Sequence, residues 1–396
     1  MKNFFSIFSV FLIFFVPFSS QFKFKGVWIT FSDLGCISFF LIYTLFIIFN
    51  KKEKIDIKNL PLFHFVLAFL FFLFISILFS PDKLISLKEF IKIFFIFVLF
   101  YLFCLNLNKE HIQLLSYVIF FSSLIISVVY IHDFFLTKQV LVFERIWKTG
   151  LTPYTQLNSL GMFFVITIPF NFYFVLTEKK VFKKLLFLIC LIPQIIGLFI
   201  TYSRAAWFSF IIVIFIFSFY KVNLKKIILF VFIFFSLFLS IRISSKDIFS
   251  ERLMPVFKYQ DGSLIERVKY VKIAFKFMKE KPLFGVGLGR FGKEARTRFQ
   301  VETYDMIHNV FLQYGVEAGI FSMLCLILIL FKYFKEAVEI YRFLSNNHAK
   351  IFLLCVLISF LSFTISAQAG DFFIKSIKEY FSLLLALPYT IKRYEL

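Results

Sequence analysis

The segment KPLFGVGLGRFGKEARTRFQ, residues 281–300, lies inside the longest polar stretch of this chain of 396 residues. That stretch runs from about Ile243 to His308, and the sequence on both sides of it consists of apolar segments rich in Phe, Ile and Leu. It also contains most of the concentrated chemistry, including a glycine run and several arginines. We therefore expect a membrane scaffold that holds one long, water-facing loop over the bilayer surface.

This loop is itself predicted to contain helices. Leu264–Lys281 has apolar residues at helical spacing between basic ones, which predicts an amphipathic helix lying on the membrane. Pro282 ends that helix. The glycine run follows, and a short polar helix is expected near Lys293–Gln300.

The composition is typical of an integral membrane protein. Hydrophobic residues make up 60% of the chain and 68 residues are Phe, and the mean hydropathy is +0.88. These values lie far from those of ordinary globular proteins. The formal net charge of +21 would indicate nucleic acid binding in a soluble protein. Here the lysines cluster in short loops between apolar segments, where they orient a membrane protein, so we expect no nucleic acid partner.

Apolar segments long enough to cross a bilayer occupy the rest of the chain. A spanning helix needs about 20 mostly apolar residues, and this rule predicts an all-α, polytopic fold with about 12 transmembrane helices. The predicted spans are Phe4–Ser19, Val27–Phe49, Leu60–Ser80, Phe90–Leu105, Ile112–His132, Gln156–Leu176, Leu185–Ile200, Ala205–Tyr220, Leu224–Ile243, Asn309–Phe331, Ile351–Gln368 and Tyr380–Ile391. The first resembles a signal peptide, but Phe18 is unsuitable three residues before a cleavage site, so we expect an uncleaved span.

Basic residues in the short loops predict the orientation. With a cytoplasmic N-terminus, the even-numbered loops face inward and carry more lysines and arginines than the odd-numbered short loops. These are Lys51, Lys52, Lys54, Lys58, Lys109, Lys179, Lys180, Lys183, Lys184, Lys221, Lys225, Lys226, Lys332, Lys335, Arg342 and Lys350. One integrated membrane domain is therefore expected: nine spans in residues 1–242, a long periplasmic loop at 243–308, and three spans in 309–396, with both termini cytoplasmic.

Four of the arginines on the predicted outer side are candidates for a shared site. Arg204 lies in TYSRAAW, residues 201–207, between two apolar spans with almost no loop. Because an arginine in the hydrocarbon costs about 2.5–3.5 kcal/mol on insertion scales, Arg204 is either an interfacial anchor or part of an anion site. Its planar guanidinium suits phosphate oxygens. Together with Arg145, Arg267 and Arg290, it forms a potential outward-facing cluster.

The glycine run, residues 285–292, contains a G-x-G-x-x-G pattern at Gly287, Gly289 and Gly292. We reject a dinucleotide site, because that pattern requires a preceding strand in a βαβ unit, and here an amphipathic helix and Pro282 precede it. Two interpretations remain. The glycines form a tight turn that packs the loop against the helices, which we favour, or their backbone N–H groups cradle an oxyanion.

His308 closes the long loop and opens the tenth predicted span. An isolated histidine at a helix start is more often a cap or an interfacial residue. Next to basic residues, however, a neutral imidazole can act as a general base. No metal site is predicted, because His-x-x-x-His, D-x-D and C-x-x-C patterns are absent and the five cysteines all lie in apolar segments.

Three segments resemble motifs of the O-antigen ligase and polymerase superfamily of bacterial membrane glycosyltransferases. The motif T-x-S-R-G-A is similar to residues 201–206, with Ala205 in place of the glycine. The motif R-x-x-x-W…P-L-x-G-x-G-x-G-x-F is similar to the segment 267–291. There Val271, with Tyr270 beside it, stands in place of the tryptophan.

The third motif, H-N-x-x-L-Q…E-x-G, is similar to the segment from His308 to Gly319. A fourth and weaker similarity covers residues 150–161, including Asn158. The resemblance therefore extends over about residues 140–330. The order of the motifs along the chain and their predicted side of the membrane agree with those of the superfamily.

This resemblance implies an inverting, metal-independent glycan transfer without a cofactor, on the periplasmic face of the bacterial inner membrane. The donor would be a glycan on a polyprenyl diphosphate carrier. The acceptor would be lipid A–core (a ligase, which we favour), another repeat unit (a polymerase) or a protein hydroxyl (an O-oligosaccharyltransferase).

The resemblance also implies roles for individual residues. Arg204 and Arg267 would bind the diphosphate, with Arg290 or Arg145 as a secondary contact, and His308 would be the base or would position the acceptor. The other candidate substrate contacts are Asn158, Ser203, Asn309, Gln313 and Glu317.

The main alternative from another class is a transporter or flippase of lipid-linked glycan. Such carriers tend to be built from repeated halves and to contain ionisable residues near the middle of the bilayer. No halves repeat in this sequence, and the long loop joins the ninth and tenth spans rather than the central pair. These features favour the transferase.

Overall fold

A computed structural model describes residues 2–18, 21–24, 27–49, 59–137, 157–219, 262–301, 306–370, 372–373 and 377–395. The predicted ninth span, the first part of the long loop and Arg145 lie outside these residues. The described residues form fourteen α-helices and one antiparallel hairpin of two short strands.

The helices follow the predicted spans closely. They are α1 Lys2–Phe15, α2 Phe31–Phe49, α3 Phe63–Leu78, α4 Lys83–Asn106, α5 Lys109–Thr137, α6 Leu157–Thr177, α7 Val181–Ile200, α8 Arg204–Phe219, α9 Gly262–Glu280, α10 Phe291–Phe299, α11 Val310–Ala318, α12 Ile320–Phe343, α13 Asn347–Ser366 and α14 Lys378–Glu395. Short 3₁₀ turns follow α1 at Val16–Phe18 and α13 at Ala367–Ala369. The predicted amphipathic and polar helices of the loop are α9 and α10.

The predicted polytopic, all-helical fold class is confirmed. Within the described residues, 6 helices are long and apolar enough to cross a membrane, and three shorter apolar helices accompany them. Their outer faces expose large side chains such as Phe71, Phe74, Phe208 and Phe215. Exposed apolar surface on this scale is characteristic of a membrane contact rather than of a water-facing surface. The chain is thus a multi-pass membrane protein.

The second predicted span begins later than expected. We predicted a helix from Val27, but Val27–Thr30 is β2 and pairs with β1, Gln21–Phe24, so that α2 starts at Phe31. A reciprocal pair of hydrogen bonds marks that start: the backbone N–H of Thr30 donates to the Asp33 carboxylate at 2.9 Å, and the N–H of Asp33 donates to the Thr30 hydroxyl at 3.1 Å. This is a capping box, which satisfies two N–H groups of the first turn.

The tenth predicted span, Asn309–Phe331, is not one helix. It is divided into α11 and α12 at Gly319, which has φ 90°. A Cβ added at this glycine would lie 1.9 Å from the backbone oxygen of Leu283, and the N–H of Ile320 donates to the Pro282 carbonyl at 2.8 Å. The polar loop therefore crosses the chain at the break, and hydropathy alone does not reveal such a crossing.

Contacts between helix termini define the two ends of the bundle. At one end, Lys109 at the start of α5 pairs with Glu395 at the end of α14, at 2.7 Å. At the opposite end, Lys378 at the start of α14 pairs with Asp33 in the first turn of α2. We call this second end the site end. The start of α4 also lies there, because α4 leads directly into α5.

Helix α13 lies at the centre of the bundle, in contact with α6, α8, α12 and α14. It runs antiparallel to α6: Ser359 donates to the Ile166 carbonyl at 2.7 Å, and the rings of Phe352 and Phe170 are 5.8 Å apart. The start of α6 is at the site end, since the Phe163 ring packs 5.7 Å from that of Tyr380. The end of α13 therefore also lies at the site end.

Candidate functional site

His308 lies in the short connection that leads into α11, and its backbone is held in an unusual conformation. Its φ is 59°, in the left-handed region that non-glycine residues rarely adopt. Hydrogen bonds on both sides fix it: the N–H of Ile307 donates to the Gln313 side chain at 2.8 Å, and the N–H of Leu312 donates to the Asn309 side chain at 3.0 Å. Strained backbone held in this way is common at functional sites.

The imidazole of His308 is half-buried and lies close to Arg267 of α9. Burial and the guanidinium charge lower the pKa of His308, whereas a hydrogen bond with the backbone of Ala369 raises it. Burial and the like charge prevail, so the ring is neutral at pH 7. Because a carbonyl accepts the N–H of one ring nitrogen, the other ring nitrogen carries the lone pair and can accept a proton.

Asn309 connects this segment to the end of α13. Its amide donates to the Gln368 side-chain oxygen at 3.0 Å, and the Gln368 amide donates in turn to the Thr364 carbonyl at 2.9 Å. Asn309 and Gln313, which the sequence indicated as substrate contacts, therefore also bind the protein's own groups. Their contact with substrate stays a prediction.

Glu317 is buried, with 4% of its surface exposed, and its carboxylate accepts three hydrogen bonds. The backbone N–H of Gly289 donates to it at 2.8 Å, that of Phe291 at 3.1 Å, and the Gln313 amide at 2.8 Å. Glu317 thus holds the glycine run against α11 through the N–H groups of Gly289 and Phe291. A substrate contact for Glu317 also stays a prediction.

The glycine run forms the tight turn that we favoured. Gly285, Gly287 and Gly289 have φ values of 68°, 101° and 66°. A Cβ at Gly285 would lie 2.4 Å from the backbone of Glu317, and one at Gly287 would lie 2.3 Å from the Ser80 hydroxyl. Only glycine fits positions with this conformation and this proximity. The N–H groups of Gly289 and Phe291 also point at a carboxyl group, as the second interpretation held for an oxyanion, but that group belongs to Glu317 of the chain itself.

Arg290 connects the loop to the start of α4. It is 5% exposed, and its guanidinium pairs with Glu294 at 2.7 Å and with Asp82 at 3.6 Å. The adjacent carbonyl of Leu288 accepts a hydrogen bond from Ser86 at 3.0 Å. To contact a diphosphate, Arg290 would have to leave these two carboxylates, and its secondary role stays a prediction.

Ser203 and Arg204 lie at the turn between α7 and α8. Tyr202 has φ 52°, and Thr201 donates to the Leu198 carbonyl at 2.6 Å, which closes the end of α7. Ser203 is buried, and Arg204 is the half-buried first residue of α8. The short turn that the sequence indicated is therefore present.

Arg204 and His308 lie at the same end of the bundle. A Cβ at Gly161 in α6 would lie 2.9 Å from that of Ser203, so α6 and α8 start side by side. The start of α6 is at the site end, and so is the end of α13, where His308 contacts Ala369. Asn158, half-buried in the first turn of α6, is there as well.

Two residues at the site end were missed by the sequence reasoning. Gln368 entered the sequence analysis only as the last residue of a predicted span, and Asp82 was not singled out at all. A polar side chain that ends an apolar segment directly before a polar connection is a signal that could have identified Gln368. Tyr270, noted beside the missing tryptophan, is a buried aromatic residue of α9, with its ring 6.5 Å from that of Phe291.

Comparison with known proteins agrees with the sequence motifs. Residues 185–327 match the model of a family described as O-antigen ligase. The match begins in α7, covers the arginine turn, the loop helices and α11, and ends in α12. No curated protein matches the chain. The chain is thus a membrane glycosyltransferase that carries an O-antigen ligase family domain.

Proposed function

We propose that this protein moves a glycan from a polyprenyl diphosphate carrier to a sugar hydroxyl of lipid A–core, as an inverting, metal-independent ligase. The site end would face the periplasm from the bacterial inner membrane, with both termini in the cytoplasm. One observation carries the proposal: His308, whose pKa is lowered by burial and by the charge of Arg267, lies at the end of the bundle where Arg204 also lies.

In this reaction the acceptor oxygen attacks the anomeric carbon from the side opposite the diphosphate, which inverts the configuration. The bond between the anomeric carbon and the phosphate oxygen breaks, and the lipid diphosphate leaves with the electron pair. The proton of the acceptor hydroxyl passes to the unprotonated ring nitrogen of the neutral His308 imidazole. A general base in this position contributes about 10² to 10⁴-fold to the rate.

The arginines act on the leaving group. Negative charge increases on the diphosphate as the bond breaks, so guanidinium groups that contact it stabilise the transition state more than the ground state. Arg204 and Arg267 take this role. Arg267 has a second effect, because its charge favours the neutral form of His308. Arg145 and Arg290 remain secondary candidates.

Alanine variants test the site. We expect Arg204→Ala and His308→Ala to reduce glycan transfer at least about a hundredfold while membrane levels stay normal. Matched controls are Arg298→Ala, which removes an exposed arginine paired with Glu280 at 2.7 Å, and His348→Ala, at the exposed start of α13. Both controls should transfer normally. Full activity of His308→Ala or Arg204→Ala would remove that residue from the mechanism.

The acceptor is tested in a strain that lacks the gene. A ligase leaves long polymer on its carrier and lipid A–core without glycan. Lipid A–core that carries a single repeat would indicate a polymerase, and unchanged lipopolysaccharide with deglycosylated protein would indicate a protein O-oligosaccharyltransferase. Movement of the lipid-linked glycan across vesicles by the purified protein, without covalent transfer, would indicate a flippase.

A further inference from the structure

From these contacts we infer that Gln368 is a positioning residue that holds His308 in its reactive orientation through Asn309. This inference rests on the proposed role of His308 as the base. Gln368 lies in the 3₁₀ turn Ala367–Ala369 at the end of α13, outside the segment 185–327 that matches the family.

The Gln368 side chain is fixed at both ends of its amide. Its nitrogen donates to the Thr364 carbonyl one turn earlier, at 2.9 Å, which leaves its oxygen directed at the Asn309 amide, 3.0 Å away. If the Gln368 amide were reversed, its nitrogen would face the Asn309 nitrogen, and two donors would meet. The hydrogen-bond network therefore permits a single orientation of Gln368.

The end of α13 contacts the histidine segment at two points. The backbone of Ala369 contacts the imidazole, and Gln368 contacts the side chain of the next residue, Asn309. The first contact holds the ring itself, and the second holds the segment from which the ring extends. Groups that orient a reactive histidine in this way are typically as important as its direct contacts.

Helix α13 also connects the segment of His308 with the turn that carries Arg204. It packs against α8, whose first residue is Arg204, and against α6. Gln368 therefore fixes His308 to the same helix that supports the arginine turn. A displacement of His308 relative to the diphosphate would affect the chemical step, because an error of about 1 Å in the position of a reacting group can cost about 100-fold in rate.

The test uses purified full-length protein in proteoliposomes, with polyprenyl-diphosphate-linked O-antigen repeats as donor and lipid A–core as acceptor. Gln368→Met keeps the length of the side chain but removes both hydrogen bonds. We expect kcat to fall roughly ten- to a hundredfold, while the KM for donor stays within about twofold. Gln113→Met, an exposed glutamine in α5 near the opposite end of the bundle, is the matched control.

A double-mutant cycle separates positioning from a general structural effect. Asn309→Ser retains an N-cap oxygen for Leu312 but loses the donor to Gln368. If the hydrogen bond carries the effect, the double variant has the same kcat as Gln368→Met alone. Multiplicative losses in the double variant, a rise in KM with unchanged kcat, or a lower yield with normal kcat would each overturn the inference.

The two proposals fail in different ways. Normal kcat in Gln368→Met together with an inactive His308→Ala would overturn the positioning role and leave the proposed base in place. Full activity of His308→Ala would instead overturn the proposed function, and the inference about Gln368 with it.

Discussion

Alanine substitutions at two glycines of the loop should differ sharply in their effect on stability. Gly285 and Gly289 have nearly the same φ, 68° and 66°, so the conformational cost of a Cβ is similar at both, about 1–2 kcal/mol. Their surroundings differ. At Gly285 the new Cβ would meet three backbone atoms of residues 316 and 317 at 2.4–2.5 Å, whereas at Gly289 it would meet the flexible Glu89 side chain at 2.8 Å.

The backbone contact at Gly285 can be relieved only if the loop moves away from α11. That movement of about 1 Å would break the hydrogen bonds from Val286 to Val316 and from Gly287 to Glu317, both 2.9 Å long. Each bond contributes about 1 kcal/mol. We therefore expect Gly285→Ala to destabilise the protein by about 3–4 kcal/mol and Gly289→Ala by only about 1–2 kcal/mol.

The thermal unfolding midpoints of the wild-type protein and both variants in one detergent measure this difference. Gly285→Ala should unfold at a clearly lower temperature than Gly289→Ala, and it should also be the less active in glycan transfer. Equal midpoints for the two variants would show that left-handed backbone strain alone sets the cost. The packing of the loop on α11, as described above, would then be incorrect.

Two further predictions concern charges at the site end. Arg267→Gln should raise the pKa of His308, because it removes a like charge. Since the neutral imidazole is the active form, the acid limb of the pH profile of kcat/KM should move to higher pH in this variant. An acid limb at the wild-type pH would mean that Arg267 does not act on His308. Glu294→Ala should lower the free energy of unfolding by about 3 kcal/mol, since it removes the carboxylate that pairs with the buried Arg290 at 2.7 Å. Asp82→Asn should lower the free energy of unfolding by less than about 1 kcal/mol, because the Asp82 carboxylate lies 3.6 Å from the Arg290 guanidinium and is partly exposed. Asparagine at this position also retains the N-cap of α4. A lower unfolding midpoint for Asp82→Asn than for Glu294→Ala would contradict this ranking.

The helices of the membrane scaffold could be predicted from hydropathy because lipid offers no hydrogen bonds to a bare backbone. A long apolar segment therefore has to be helical, and its bounds follow from its composition. The helices depart from the predicted spans where another part of the chain contacts or hydrogen-bonds the backbone of the segment. Residues 27–30 pair with β1, and Gly319 faces the backbone of Leu283. Such partners are distant in sequence, and no local pattern identifies them.

The residues of the candidate site also divide into those that a local pattern predicts and those that only a distant contact reveals. The motifs identified His308 and Arg204, and the structure brings both to one end of the bundle. Gln368 carries no motif, and its significance comes from a hydrogen bond to a residue 59 positions earlier in the chain. Glu317 was predicted as a substrate contact because it matches the third motif, and that contact stays a prediction. Its three donors within the chain could not be predicted without the path of the glycine run.

That path also bears on how a diphosphate would be bound. Six consecutive or nearly consecutive backbone N–H groups of the loop donate within the chain: those of Gly285, Val286, Gly287, Gly289, Arg290 and Phe291. A glycine run with N–H groups directed at an oxyanion is a common phosphate site, but here Glu317 already occupies that position. An incoming diphosphate would have to displace a buried carboxyl group that is fixed by three hydrogen bonds. On the proposed mechanism, we therefore expect side-chain cations, rather than these six N–H groups, to supply the donors to the leaving group. The loop would contribute by holding α9, and Arg267 with it, against α11.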